Sequence, residues 1–235
     1  MSLSPFRAVI FDCDGVLVDS ELMGLRSLQL ALREVGVERS IDSLARFSGR
    51  SHHETLAELE ADSGVPLLEL RIKQRMDECY MLLARVDGLR PCPGVPQLLS
   101  QLAARQIPFT LASSGPREKV QFSLQQAGLA PAFPWFVCGD DVARAKPAPD
   151  LFLAAAVLLA VPPADCVAVE DAPPGVRAAR AAGMQVVAVT TSFPASELTE
   201  ANLTLDSLLH FPLDSGRWPD SLLKSLREQS SGRSC

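Results

Sequence analysis

The sequence has no surplus of positive charge. It contains 22 lysines and arginines against 28 aspartates and glutamates, for a formal net charge of -6 at pH 7. Because nucleic acid and anionic membranes are bound by clustered lysine and arginine, neither is an expected partner. A long apolar run is also missing, since the longest, residues 151–161, is too short to span a bilayer. The first residues have neither the basic nor the apolar region of a secretory signal, so we expect a cytoplasmic protein.

The cysteines form no pair or metal-binding pattern. None stands in a C-x-x-C arrangement or beside a histidine pattern, which argues against a zinc site and against a disulfide framework. The six are Cys13, Cys79, Cys92, Cys138, Cys166 and Cys235. Those in or beside predicted strands are expected to be small buried apolar groups rather than nucleophiles.

Five short apolar runs predict the strands of a sheet. Because the runs are continuous rather than alternating, we expect strands buried on both faces, as in a parallel sheet. The runs are residues 8–11, 107–112, 135–138, 166–169 and 186–189. Between the last four lie predicted helices at 116–127, 150–161 and 173–182, each marked at an end by Pro or Gly. This alternation predicts a doubly wound, Rossmann-like α/β fold.

The interval between the first and second predicted strands, residues 16–106, is too long for one crossover. It contains leucines at helical spacing and no convincing strand, which predicts a small helical domain inserted after the first strand. A stretch rich in Pro and Gly at 91–94 is typical of a boundary. The expected division is an α/β core domain of residues 1–18 and 91–235 and an inserted helical cap domain of residues 19–90.

Polar side chains follow four of the predicted strands, at the end where ligands of doubly wound sheets bind. They are Asp12 and Asp14, Ser113 and Ser114, Lys146, and Glu170 with Asp171. Each group alone has an ordinary structural explanation: an Asp/Gly turn, an N-cap serine, a solvated lysine, or acids at a helix N-terminus. Their occurrence at four strand ends of one sheet edge instead indicates a single cleft.

The cleft predicted from these residues is rich in carboxylates. Asp12 and Asp14 are two residues apart and would share one side of the chain. Two carboxylates so close need a cation or a shared proton. With Glu170 and Asp171 nearby, the oxygen-rich set suits Mg²⁺.

In order along the chain, these residues form the motifs D-x-D-G-V-L-x-D-S, S-S-G, K-P-x-P-D and E-D-x-x-x-G. The combination resembles the four motifs of the haloacid dehalogenase-like (HAD) hydrolase superfamily, and in particular its β-phosphoglucomutase-like small-molecule phosphatases. The resemblance covers residue 6 to about residue 190, and the helical insertion is similar to the mobile cap of that superfamily. It implies a Mg²⁺-dependent phosphoric monoester hydrolase that works through an aspartyl-phosphate intermediate.

The resemblance also implies a role for each motif residue. Asp12 would be the nucleophile and Asp14 the general acid and base. The phosphoryl group would be bound by Ser113, Ser114 and Lys146. The metal would be bound by Asp12, Asp14 through its backbone carbonyl, Asp171 and Glu170.

Substrate choice is expected to depend on the cap, because the core residues handle only the phosphoryl group. Residues 47–54 are similar to the cap loop that reaches into the active site in this subfamily. Arg50 and His52 are the candidates there for binding a polar or anionic leaving group, with Lys73 and Arg75 close in sequence. The alternative for each is a solvated surface position. We expect the substrate to be a small phosphorylated metabolite, a sugar or sugar-acid phosphate, and the enzyme to be a monomer.

Three other functions share parts of this pattern. Haloacid dehalogenases of the same superfamily lack the second aspartate, so Asp14 favours phosphoryl transfer. A phosphomutase of the β-phosphoglucomutase type carries a histidine at the position of Gly24, and the glycine found here favours hydrolysis. A phosphorylated receiver-like signalling module has its phosphorylated aspartate on a later strand and no helical insertion. The mutase is the main alternative, and the receiver is the alternative outside enzymology.

Overall fold

The structure is a computed structural model that describes residues 3, 5–47 and 52–213. The strands are β1 (Ala8–Phe11), β2 (Val18–Asp19), β3 (Arg90–Pro91), β4 (Phe109–Leu111), β5 (Cys166–Glu170), β6 (Gln185–Val189) and β7 (Leu203–Leu205). The helices are α1 (Glu21–Glu34), α2 (Ile41–Leu44), α3 (His52–Ser63), α4 (Ile72–Asp87), α5 (Val95–Ala104), α6 (Arg117–Gln126), α7 (Asp150–Leu158) and α8 (Pro173–Ala181).

Five of the strands form one parallel sheet in the order β4-β1-β5-β6-β7. β1 lies inside the sheet, where Ile10 is opposite Thr110 of β4 and Ala168 of β5. Every residue of β1 and β5 is buried, as expected of apolar parallel strands that helices cover on both faces. The prediction of a doubly wound α/β fold is confirmed.

One predicted strand is wrong. Within residues 135–138, Val137 forms only an isolated bridge to Ala112, and no strand results. The run is apolar because Val137 and Cys138 are buried against the sheet, although they do not form a strand of it. Conversely, β7 is a partly buried edge strand of three residues, too short for its pattern to indicate a strand.

Alternate residues of β1 face opposite sides of the sheet. Val9 and Phe11 belong to an apolar cluster that includes α5 and α6, whereas Ala8 and Ile10 belong to a second cluster with α7 and α8. Helices therefore cover both faces of the sheet and leave the carboxyl ends of its strands available for a site.

The chain between β2 and β3 is helical and has an apolar cluster of its own. Leu28, Leu32, Leu59 and Ile72 are among the residues buried in this cluster, and α1 packs against α4. The expectation of no strand in this interval is wrong in one detail, because β2 and β3 pair antiparallel at its two ends. The two points at which the chain enters and leaves the helical segment therefore lie side by side. The division into a core and a cap domain stays a prediction.

Within the described ranges, no helix is both long enough and apolar enough to cross a membrane. Five of the cysteines are free and buried, in keeping with the expected role as small apolar groups; these are Cys13, Cys79, Cys92, Cys138 and Cys166. Cys235 lies outside the described residues.

Candidate active site

Asp12 and Asp14 lie just past the carboxyl end of β1. The backbone N–H of Asp12 donates to the carbonyl of Val169 at 2.9 Å, so the pairing of β1 with β5 continues one residue beyond β1. This pairing holds Asp12 at the sheet edge. Asp14 lies in the turn that follows, where its carboxylate accepts a hydrogen bond from Ser20 Oγ at 2.6 Å.

Gly15 is required in this turn for two reasons. Its φ of +74° lies in the left-handed region that favours glycine. A Cβ at this position would also lie 1.9 Å from Asp171 Oδ2. The first motif therefore needs glycine so that the turn after β1 can approach the carboxylate that follows β5.

Glu170 is the last residue of β5 and Asp171 follows it, and both side chains are buried. The Glu170 carboxylate accepts hydrogen bonds from the next two backbone N–H groups, at 3.1 and 3.4 Å. Asp171 accepts hydrogen bonds from Ser192 Oγ and, at 3.5 Å, from Thr191 Oγ1. Burial, and then repulsion from Glu170 and Asp12, holds the pKa of Asp171 well above its usual value.

Lys146 supplies a positive charge to these acids. Its ammonium donates to the Asp12 carboxylate and, at 2.6 Å, to Glu170 Oε1, and it lies 5.1 Å from the centre of the Phe152 ring. Burial alone would lower the pKa of Lys146, but the attraction of the two carboxylates outweighs burial and raises this pKa. Burial raises the pKa of Asp12 to about 7, despite the opposing attraction of Lys146.

Three of the carboxylates are arranged as a metal site would require. One oxygen each from Asp12, Glu170 and Asp171 lie within 4.8 Å of one another. A single ammonium, that of Lys146, cannot balance three buried carboxylates, and an uncompensated buried charge is costly. These anionic oxygen ligands therefore fit a hard divalent cation such as Mg²⁺.

The serines after β4 complete the site. Ser113 is buried, and its Oγ accepts a hydrogen bond from the backbone N–H of Gly115 at 3.1 Å, whereas Ser114 is exposed. A cavity of about 450 Å³ adjoins these residues. Eight of the predicted site residues line it: Asp12, Asp14, His52, Ser113, Ser114, Lys146, Glu170 and Asp171.

The inserted helices provide the opposite wall of the cavity. Gly24 of α1, His52 at the start of α3 and Tyr80 of α4 line it. Desolvation, and then repulsion from the ammonium of Lys119, lowers the pKa of His52. The neutral imidazole is therefore favoured at neutral pH. Arg50, the other predicted cap residue, lies outside the described residues.

Lys73 and Arg75 are not among the described residues that line the cavity. Lys73 forms an exposed ion pair with Asp77 at 3.2 Å, and Arg75 forms one with Glu34 at 2.6 Å. The solvated alternative is therefore correct for both.

Lys119 lines the cavity although sequence reasoning does not single it out. It belongs to the first turn of α6, and its Nζ lies 3.7 Å from Asp14 Oδ2. Burial would raise the pKa of Asp14, but Lys119 and the Ser20 hydroxyl outweigh burial and lower it. One lysine in a helix gives no signal in the sequence, because its nearness to Asp14 depends on how α6 packs.

Gly175 is the glycine of the E-D-x-x-x-G motif, and we expect Gly175→Ala to disrupt the site. An added Cβ would lie 1.9 Å from Glu170 Oε1, and this carboxylate cannot easily move because it is buried and bonded to Lys146. Activity in steady-state assays should fall by about 100-fold, and overpacking should cost about 1–3 kcal/mol of unfolding free energy in denaturant titrations. Arg177→Ala, at an exposed position of α8, is the control. Wild-type activity and stability in Gly175→Ala would contradict this reading.

A doubly wound sheet with polar residues gathered at the carboxyl ends of its strands is typical of α/β enzymes. Comparison with known proteins gives the family. A model of the haloacid dehalogenase-like hydrolase family matches residues 6–183. Validoxylamine A 7'-phosphate phosphatase of Streptomyces hygroscopicus subsp. limoneus is 31% identical, over 91% of this chain and 97% of that protein. Beta-phosphoglucomutase of Bacillus subtilis (strain 168) is 32% identical, over 80% of this chain and 85% of that protein.

Two further matches are a longer relative and a solved structure. Protein SUPPRESSOR OF QUENCHING 1, chloroplastic, of Arabidopsis thaliana is 34% identical over 92% of this chain, which spans only 22% of that protein. The crystal structure of a HAD hydrolase, family IA, variant 3 from Entamoeba histolytica HM-1:IMSS superposes with a TM-score of 0.78 and is 23% identical in sequence. The match covers 89% of this chain and 96% of that chain. This structural likeness concerns the fold alone.

The chain belongs to the haloacid dehalogenase-like hydrolase family. The sequence-based prediction of a phosphoric monoester hydrolase of this family is confirmed.

Proposed function

We propose that the enzyme is a Mg²⁺-dependent phosphatase that hydrolyses a small sugar or sugar-acid phosphate through an aspartyl-phosphate at Asp12. The observation that carries the proposal is the ammonium of Lys146, which holds the Asp12 carboxylate among buried acids at the wall of a cavity. A carboxylate can attack a phosphate dianion only if nearby positive charge offsets their repulsion.

Asp12 is the proposed nucleophile. One of its carboxylate oxygens forms a bond to phosphorus while the bond from phosphorus to the leaving oxygen breaks, and Asp14 gives a proton to that oxygen. A water molecule then gives a proton to Asp14 and attacks phosphorus. The bond between phosphorus and Asp12 breaks, so that inorganic phosphate leaves and both side chains are restored.

The position of Asp14 supports its proposed role in this proton transfer, since it comes two residues after Asp12 and Ser20 Oγ donates to its carboxylate at 2.6 Å. In the free enzyme Lys119 and Ser20 keep the pKa of Asp14 low. A bound phosphoryl group brings negative charge beside Asp14 and favours its protonated form. We therefore expect Asp14 to take up a proton as substrate binds.

The remaining core residues bind the phosphoryl group and the metal. Ser113, Ser114 and Lys146 line the cavity beside Asp12 and are the proposed phosphoryl ligands. The proposed metal ligands are Asp12, Glu170, Asp171 and the backbone carbonyl of Asp14. When bound, Mg²⁺ offsets the negative charge of the phosphoryl oxygens.

The helical insertion, residues 19–90, is proposed as the cap that selects the substrate. Its residues Gly24, His52 and Tyr80 share the cavity with the catalytic acids, and about 450 Å³ suits a small metabolite. Two relatives are named for small phosphorylated molecules, which supports the same class here. A Cβ at Gly24, the position where a mutase has its histidine, would meet no atom within 4 Å, so among the described residues no side chain fills that space. This space supports hydrolysis by water.

We expect phosphate to be released from a few members of a panel of sugar phosphates, sugar-acid phosphates and nucleotides when Mg²⁺ is present. Release should fall at least about 100-fold with a chelator, because Lys146 alone then offsets the negative charge of Asp12, Glu170, Asp171 and the phosphoryl group. Conversion of a hexose 1-phosphate to its isomer without release would identify a phosphomutase. Release that a chelator does not change would contradict the metal dependence, and silence throughout the panel would contradict the proposed substrate class.

A further inference from the structure

Lys119 is a partly buried cation that contacts no reacting group in the proposed mechanism. Only 18% of its side chain is exposed, and its Nζ lies 4.5 Å from the centre of the Tyr80 ring. Its ion-pair partner, Asp14 Oδ2, lies 3.7 Å away, which is longer than a hydrogen bond. An ammonium has three donors, so Lys119 retains the capacity to bind a ligand oxygen strongly.

Two lysines of the described part of the chain line the cavity, and they differ in their capacity to bind a further anion. Among the described residues that line it, Lys119 and Lys146 are the lysines, and no arginine lines it. Lys146 already donates to both Asp12 and Glu170. Lys119 is therefore the cation that is better able to bind a second anionic group of a substrate.

The position of Lys119 also indicates which part of the substrate it would meet. Asp14 must lie within hydrogen-bond reach of the leaving oxygen to protonate it. Lys119 Nζ lies 3.7 Å from Asp14 Oδ2 and 4.5 Å from the centre of the Tyr80 ring, so its ammonium lies beside the proposed proton donor and next to an inserted helix. A leaving group whose oxygen is within reach of Asp14 would therefore bring an anionic group near its ester oxygen close to this ammonium.

We propose that Lys119 is a specificity residue that selects phosphate esters whose leaving group carries a carboxylate close to the ester oxygen. The substrate would then be a phosphorylated hydroxy acid or sugar acid rather than a neutral sugar phosphate. This proposal rests on the phosphatase function proposed above. Tyr80 would keep Lys119 in place, since its ring faces the ammonium and its hydroxyl lies 3.2 Å from Ser123 Oγ.

Pairs of substrates that differ only in a carboxylate test the proposal. Suitable pairs are phosphoglycolate with ethylene glycol monophosphate, 3-phosphoglycerate with glycerol 3-phosphate, and 6-phosphogluconate with sorbitol 6-phosphate. With Mg²⁺, the wild-type enzyme should favour the carboxylate by about 10- to 100-fold in kcat/KM in the first two pairs, the range expected of one charged hydrogen bond. The preference should be weaker in the third pair, whose carboxylate is far from the ester oxygen.

Lys119→Met should bring the preference in kcat/KM to about 1, and Lys119→Arg should keep most of it, because arginine retains the charge. The ratio within a pair cancels any effect that Lys119 has on Asp14, since that effect is common to both substrates. Arg7→Met removes an exposed cation and should leave the ratio unchanged. Thermal melting of each variant shows whether it is folded. The ratio of kcat/KM values within a pair, measured on the wild-type enzyme, tests the proposal even if a variant does not fold.

Three results would overturn the assignment. A wild-type ratio near 1 would show that Lys119 does not select a carboxylate. An equal loss on both members of a pair in Lys119→Met would show that the lysine acts only through Asp14. Absence of phosphate release from every ester, in an enzyme that melts cooperatively, would contradict the proposed sugar or sugar-acid phosphate substrate class and the inference with it.

Discussion

Asp12→Asn is expected to lower kcat by about 10⁴-fold or more, while the protein stays folded. An amide oxygen is a poor nucleophile toward phosphorus, so no aspartyl-phosphate can form and the two-step route is lost. The fold should tolerate the change because asparagine has the same shape and the backbone N–H of residue 12 still donates to Val169. The substitution also removes a carboxylate whose pKa burial raises to about 7, so it relieves rather than adds buried charge.

Two measurements check this prediction. The first is the rate of phosphate release at saturating substrate, and the second is the mass of the intact protein after rapid quenching during turnover. Wild-type enzyme should gain the mass of one phosphoryl group during turnover, and Asp12→Asn should not. Asp165→Asn is the matched control, since it makes the same chemical change in an exposed ion pair with Arg7. A folded Asp12→Asn protein that retains a tenth of wild-type activity would exclude Asp12 as the nucleophile.

Lys146→Met is expected to lower kcat/KM by about 10³-fold, the upper end of the loss seen when one group that stabilises transition-state charge is removed. The side chain is only 8% exposed and holds both Asp12 and Glu170. Without the ammonium these carboxylates face each other unpaired. Removing one partner of a buried ion pair costs about 3–5 kcal/mol, and this loss should appear as a lower melting temperature in metal-free buffer.

Mg²⁺ provides the sharper test of this explanation. A ligand that binds only the folded state stabilises it, and the more negative site of Lys146→Met should bind the cation more tightly. We therefore expect Mg²⁺ to raise the melting temperature of Lys146→Met more than that of the wild type. Arg7→Met, which breaks an exposed ion pair, should respond to Mg²⁺ as the wild type does. An equal response in all three proteins would mean that Lys146 does not compensate the carboxylates proposed to bind the metal.

Much of the fold and site follows from local patterns. The apolar runs that became β1, β4, β5 and β6 are short and continuous, which is typical of strands buried on both faces of a parallel sheet. Residues that directly follow such strands must lie at one edge of a parallel sheet. The positions of Asp12 and Glu170 could therefore be predicted without knowing the order of the strands.

The incorrect strand prediction has a physical reason too. The run at 135–138 has the apolar character of a strand, but burial against the sheet produces the same composition as membership in it. The sequence left two interpretations open for Lys73 and Arg75, a substrate-binding or a solvated position, and on α4 both pair with acids at the protein surface. Sequence distance does not reveal which face of a helix meets the cavity.

The sequence by itself determined the fold class, the inserted helical segment and the motif residues at the strand ends, because each depends on short-range order along the chain. Only the tertiary structure decided which of these residues meet. The strand order places β1 between β4 and β5, so that Asp12 lies between Ser113 and Glu170. The packing of α6 and α4 brings Lys119 to Asp14 and Tyr80. Such contacts join residues far apart in the chain, and their energies depend on burial and distance, which no local pattern encodes.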